Sequence, residues 1–251
     1  MTFVRLSSVS VELGGSPVLD GVSFGAGTGE VVWIVGPNGG GKTTLLRVLA
    51  GELQPSAGTV RIGDSDPAAV GVSERATMRS VLTQVERSDV PYTVRTVVGF
   101  GTFNTDVLED ERAALVAECL RRLELEDLAD RRVSDLSGGE RRRAAIARTL
   151  AHRTDVMLLD EPTDSLDLGH AGLVSRIGRE EAATGRVIIS TSHDLNLAAR
   201  FADRIVMLHA GSIVADGAPV EVLTEDRLEA VYECPVHVST HPEDGGPVVY
   251  L

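Results

Sequence analysis

The stretch EVVWIVGPNGGGKTTLLRVLAGEL, Glu30 to Leu53, limits what this chain can fold into more than any other. An apolar run of strand length, Glu30–Val35, passes straight into a glycine-rich turn. Leucines then follow at helical spacing: Leu45, Leu46, Leu49 and Leu53. Gly36 to Thr43 fits G-x-x-x-x-G-K-[ST] in the strand–turn–helix context that this pattern needs. Successive backbone N–H groups of such a turn make an anion nest, and the helix start adds its partial positive charge. Gly39, Gly40 and Gly41 carry no Cβ to block a phosphate or to forbid positive φ. Of the 24 Lys and Arg residues, Lys42 is the only lysine. An ammonium on a flexible stem can touch two phosphates at once, whereas the planar fork of Arg prefers side-on geometry. Thr43 offers a hydroxyl to Mg²⁺, a hard cation that favours oxygen. Gly36, Asn38, Gly39, Gly40, Gly41, Lys42, Thr43 and Thr44 are therefore expected to hold a nucleoside triphosphate. The turn alone does not say which machine uses it.

The 251 residues suffice for one large α/β domain or a core plus subdomain. No apolar run approaches the roughly 18 residues of a membrane-spanning helix. The N-terminus alternates like a strand and lacks the pattern of a signal peptide, so a cytoplasmic location is expected. Cys119 and Cys234 lie far apart in no metal-like spacing and read as reduced thiols. A net charge of −13 argues against a broad nucleic-acid surface. The basic run Arg141–Arg143 reads as the solvated face of a helix, and every histidine but His193 as a surface residue.

FVRLSSVSVEL and PVLDGVSF flank the turn GGS and predict an antiparallel hairpin. After KTTLLRVLAGEL, read as a helix to about Pro55, TVRIG reads as another strand. Residues 86–150 carry helical signals without strand runs. Strand signals return in VMLLDEP and RVIISTSHD, each followed by a helical stretch, which implies a parallel sheet with helices on its faces. VHVSTHPEDGGPVVYL reads as a terminal hairpin. The expected organisation is a nucleotide-binding α/β core from 1–85 and 151–225, a helical subdomain at 86–150 and an extension at 226–251.

VMLLDEP ends a buried strand in two acids, beside the phosphate loop if the strands are parallel. Asp160 would hold Mg²⁺, and Glu161 would polarise an attacking water. In DLSGGERRRAAIARTLA, Ser137, Gly138 and Gly139 open a second helix whose N-terminus could bind an anion.

The order GPNGGGKTT, Gln84, LSGGE, VMLLDEP, SLD and TSHD resembles the ATP-binding-cassette family of transport ATPases, over essentially the whole chain. The resemblance implies a P-loop NTPase core with an N-terminal antiparallel β subdomain and an inserted helical subdomain. It implies a head-to-tail pair of copies sandwiching two ATP with Mg²⁺. Each ATP would be held by one copy's phosphate loop and by Ser137, Gly138, Gly139 and Glu140 of the other. Gln84 would contact Mg²⁺ or the attacking water and sense a membrane partner. Asp167 would cross the dimer interface, and His193 would bond the γ-phosphate. Leu13 stands where the family usually stacks an aromatic on adenine, so weaker discrimination of ATP from GTP is expected.

A cassette without transmembrane helices is expected to work with separate integral-membrane permease subunits, at the cytoplasmic face of the membrane, and indirectly with a substrate-binding protein. LLRVLAGEL, TVRTVVGFG and PVHVSTHP resemble importers of iron-siderophore, haem and cobalamin, with VELGGSPVLDGVSF nearest the haem branch. GTFNTD, near the expected permease contact, departs from that group. The rivals are a free-standing P-loop NTPase or small-molecule kinase, which would not need Ser137-Gly138-Gly139, and a cassette acting as a regulatory or assembly scaffold.

Overall fold

The computed structural model describes residues 2–83, 91–103, 108–243 and 245–251. Two long strands, β1 (Thr2–Leu13) and β2 (Ser16–Gly27), pair antiparallel around Gly14 and Gly15, both at positive φ. β4 (Ala57–Ile62) adds to the other edge of β1, giving a three-stranded sheet in the order β2-β1-β4.

The second sheet carries the phosphate loop. Its order is β5 (Arg79–Leu82), β6 (Val156–Leu159), β7 (Val187–Thr191), β3 (Val31–Val35), β8 (Arg204–His209) and β9 (Ser212–Gly217). All neighbours are parallel except β8 and β9. Every residue of β3, β6 and β7 is buried, which is why these strands read as unbroken apolar runs.

Side chains alternate across a strand, and here the alternation divides two cores. Val31, Trp33, Val35, Met157, Leu159 and Ile188 pack with the helices of residues 94–151 and with those near the C-terminus. Val32, Ile34, Val156, Leu158, Val187 and Ile189 pack with α1 (Lys42–Leu49) and the three-stranded sheet.

Helix α1 stops earlier than its leucine pattern predicts. The Gly51 N–H bonds the Val48 carbonyl at 3.0 Å and the Glu52 N–H bonds the Arg47 carbonyl at 2.9 Å, a Schellman ending. Gly51 sits at φ 68, and a Cβ there would lie 2.3 Å from the Pro67 carbonyl oxygen. Leu53 still packs on the core from beyond the helix.

The intervening helices are α2 (Val72–Met78), α3 (Val94–Gly99), α4 (Glu109–Arg122), α5 (Gly138–Ala151), α6 (Leu168–Ala183) and α7 (Leu195–Phe201). Two short helices, α8 (Pro219–Val222) and α9 (Glu225–Tyr232), lead to the antiparallel pair β10 (His237–Thr240) and β11 (Pro247–Tyr250). The Asn196 amide of α7 exchanges two bonds with the Val249 backbone, at 3.0 and 2.8 Å, and holds that hairpin to the body. Among the described residues no helix is long and apolar enough to cross a membrane.

Candidate functional site: a phosphate loop facing paired acids

The turn between β3 and α1 needs its glycines for packing as well as for phosphate access. Gly36 takes φ 144, and a Cβ there would lie 1.9 Å from the Leu208 carbonyl oxygen of β8. Gly41, at φ 102, would meet Leu19 and the Val18 carbonyl. Lys42 is only 6% exposed, and its ammonium donates to the carbonyls of Gly36 at 2.8 Å and Pro37 at 3.1 Å. Burial lowers its pKa from 10.5, opposed by the charges of Glu161 and Asp160. Asn38 through Thr44, Val18 and Glu161 line a cavity of about 280 Å³. A larger cavity, about 400 Å³, lies elsewhere, where Arg122 and Arg186 pair with Glu181, and contains none of the expected site residues.

The paired acids face this loop because β6 lies one strand away from β3, across β7. Asp160 is 5% exposed. Its Oδ1 accepts from Thr43 Oγ1 at 3.3 Å and from Thr191 Oγ1 at 2.6 Å. Thr191, at the end of β7, also accepts the Glu161 N–H at 2.9 Å. Thr43 Oγ1 and the Asp160 carboxylate thus present hard oxygen donors to one point, a donor set suited to Mg²⁺.

Glu161 adopts φ 49, an uncommon backbone for a residue with a Cβ. Burial first, then a hydrogen bond with Asp164 and the charges of Asp164 and Asp160, raise its pKa above 4.5, while His193 opposes the shift. His193 Nδ1 lies 3.5 Å from Asp164 Oδ1, and ligand atoms of Glu161, Asp164 and His193 all fall within 4.8 Å of one another. Glu161 is therefore shared between the phosphate-loop cavity and the cluster with Asp164 and His193, while His193 itself does not line that cavity.

Other expected residues sit apart. Leu13 ends β1 at 40% exposure and does not line the phosphate cavity; Val18 of β2 does. Ser137, Gly138, Gly139 and Glu140 do not line it either. They begin α5, where the Ser137 hydroxyl accepts the Glu140 N–H and the Glu140 carboxylate accepts the Ser137 N–H at 2.7 Å, a capping box. These bonds lower the Glu140 pKa. Gly138 has open space around it, whereas a Cβ on Gly139 would press on the Ser165 carbonyl at 3.1 Å. Asp167 caps α6 through the His170 N–H and pairs with the His170 ring at 2.6 Å. Gln84 and the second half of GTFNTD lie outside the described residues.

Two sequence readings are corrected. The Arg141–Arg143 run is not a solvated face, because Arg142 and Arg143 are 6% and 7% exposed. Arg143 donates to the carbonyls of Leu123 and Glu124 at 2.7 and 2.9 Å, and Arg142 reaches the turn after β6. Three consecutive helical residues span about 200°, so one solvated face could not have taken all three. His152 and His209 are half-buried, each with a buried Nδ1, rather than surface residues. Both cysteines are free thiols, as expected. Thr191, Asp164 and Val18 carried no signal of their own in the sequence.

The model of the ABC transporter family matches residues 19–164, and the chain belongs to that family as an ATP-hydrolysing cassette. It is similar to the hemin import ATP-binding protein HmuV of Rhodococcus jostii, 43% identical over 98% of this chain and 85% of that one. The protein of the same name from Streptomyces coelicolor is 44% identical over 95% and 86%. Among solved structures, the ATP-binding cassette MJ0796, in a dimeric post-hydrolysis state bound to ADP and Pi, aligns with a TM-score of 0.77. That alignment has 28% identity and covers 86% of this chain and 98% of that one. An inward-facing metal-chelate type ABC transporter aligns with a TM-score of 0.83 over 99% of this chain and 96% of that one. At 23% identity it speaks to the fold.

Proposed function

We propose that this cassette powers uptake of an iron chelate, haem before ferric siderophore, or else of cobalamin, through separate integral-membrane permease subunits. The observation that carries the cargo class is the likeness to hemin import ATP-binding proteins over nearly the full chain. Two copies pair head to tail at the cytoplasmic face of the membrane, and a substrate-binding protein delivers cargo from the other side.

In each site Gly36 and the loop from Asn38 to Thr44 hold the triphosphate, and Lys42 neutralises its terminal oxygens. Thr43, Asp160 and Gln84 would hold Mg²⁺, which supplies charge neutralisation at the β- and γ-phosphates. Glu161, with its raised proton affinity, accepts hydrogen bonding from the attacking water. His193 donates to the γ-phosphate, and Asp164 holds its ring. Ser137, Gly138, Gly139 and Glu140 close over the partner's nucleotide, with Asp167 at the interface. The same reading assigns 1–85 and 151–225 to nucleotide binding, 86–150 to the signature arm and 226–251 to an extension.

The deciding experiment isolates this chain from membranes, identifies the co-purified permease and measures ATP-driven haem accumulation in vesicles rebuilt from the complex. Haem uptake that requires ATP, and is lost in Glu161→Gln, supports the reading. A complex that turns over ATP and moves another cargo overturns the haem assignment. A chain that recovers no membrane partner overturns the importer.

A further inference from the structure

Arg142 lies in the second turn of α5, five residues after Ser137, on the helix that the signature begins. Its guanidinium donates to the carbonyls of Thr83 and Glu161, both at 2.8 Å, and to that of Asp160. Thr83 follows β5 and directly precedes Gln84, while Asp160 and Glu161 follow β6. One cation therefore ties together the C-terminal ends of two adjacent parallel strands.

Two successive carbonyls aimed at one guanidinium define the turn that Glu161 makes in its left-handed conformation. The N–H of the same residue is held from the opposite side by Thr191. Glu161 is thus fixed by its backbone at both ends. A planar fork of donors suits this task, because an ammonium cannot span several fixed acceptors in the same geometry.

We propose that Arg142 is a positioning residue for hydrolysis, locking the Asp160–Glu161 turn and coupling it to the helix that starts with Ser137-Gly138-Gly139. This rests on the ATPase mechanism given above. In a head-to-tail dimer, the Ser137 end of that helix serves one nucleotide while its Arg142 sets Glu161 for the other. A single side chain then links the two sites.

The test compares the full-length chain with Arg142→Met and Arg142→Lys, alone and with its membrane partners. It measures Mg·ATP turnover, affinity for a fluorescent ATP analogue and thermal melting. Arg142→Met is expected to lower kcat by about tenfold or more with analogue affinity within about threefold, and Arg142→Lys to restore part of kcat. A folded Arg142→Met chain with kcat within about twofold overturns the proposal, and so does a loss of affinity that matches the loss of turnover. Should the Met chain not fold, Arg142→Lys decides: kcat down about threefold or more at unchanged affinity supports the role, and a smaller loss overturns it. Lys42→Ala and Glu161→Gln run alongside. Turnover retained in those two refutes the hydrolytic mechanism itself, whereas their loss beside normal Arg142 variants refutes only the positioning role.

Discussion

Replacing Thr191 with Val tests the frame that holds the paired acids. The side chains are nearly isosteric, and Thr191 is 0% exposed, so neither cavity nor clash complicates the outcome. The hydroxyl is shared: it donates to Asp160 Oδ1 at 2.6 Å and accepts the Glu161 N–H at 2.9 Å. Valine leaves that N–H without its hydroxyl acceptor, at a cost of about 1–3 kcal/mol, and removes a bond to a carboxylate worth about 1.5–3 kcal/mol. Asp160 keeps Thr43 Oγ1 at 3.3 Å, which offsets part of the second loss. A net destabilisation of about 3 kcal/mol follows, or a fall in Tm of about 6–12 °C for a domain of this size. Thr191→Ser, which keeps the hydroxyl, isolates its contribution and should lose about 1 kcal/mol through one missing methyl group. Calorimetry on the three chains measures the difference. A valine chain that melts with the unaltered one would refute the argument, since the shared hydroxyl would then contribute nothing.

Three further outcomes are expected. Cys119 is buried and its thiol is pushed up to about 12, chiefly by desolvation, so thiol-directed reagents at neutral pH should modify Cys234 first and Cys119 only on unfolding; mass spectrometry of labelled peptides reads the order. Burial lowers the His152 pKa below 6.5, so the unfolded chain binds a proton that the native one refuses, and stability falls as pH drops through 6.5; urea titrations should give His152→Gln a shallower decline between about pH 7.5 and 5.5. Leu13→Tyr should tighten ATP binding by about 1 kcal/mol, near fivefold in affinity, if the end of β1 faces the base; unchanged nucleotide titrations would remove residue 13 from the site.

What could be read from the sequence is what a strand or turn encodes locally. β3, β6 and β7 announce themselves because all their residues are buried, and Gly36–Thr43 because each glycine answers a backbone demand. The N- and C-terminal hairpins carry alternation and turn residues within a few positions of each other. Helix α2 and the short strands β5, β8 and β9 escaped, as two of those strands lie at sheet edges where one row of contacts is missing. Arg142 was misread because its partners are carbonyls brought in from other strands, and a carbonyl leaves no trace in residue type. Thr191 escaped because its role depends on where β6 and β7 end relative to each other. Distances and bonds that join Asp160 to Thr43, or His193 to Asp164, exist only once the sheet is assembled.

The division of the sheet into two cores has a bearing on how such a cassette can change over generations. Trp33 and Ile34 are neighbours in the chain yet contribute to separate packing problems, one toward the helices and one toward α1 and the three-stranded sheet. Substitutions that refit one side do not have to be matched on the other, since sites without shared contacts combine nearly independently. The helical side and the hairpin side beside the nucleotide loop can thus accumulate variation at different rates. The strand backbones between them, and the loop they carry, form the inheritance both sides must share.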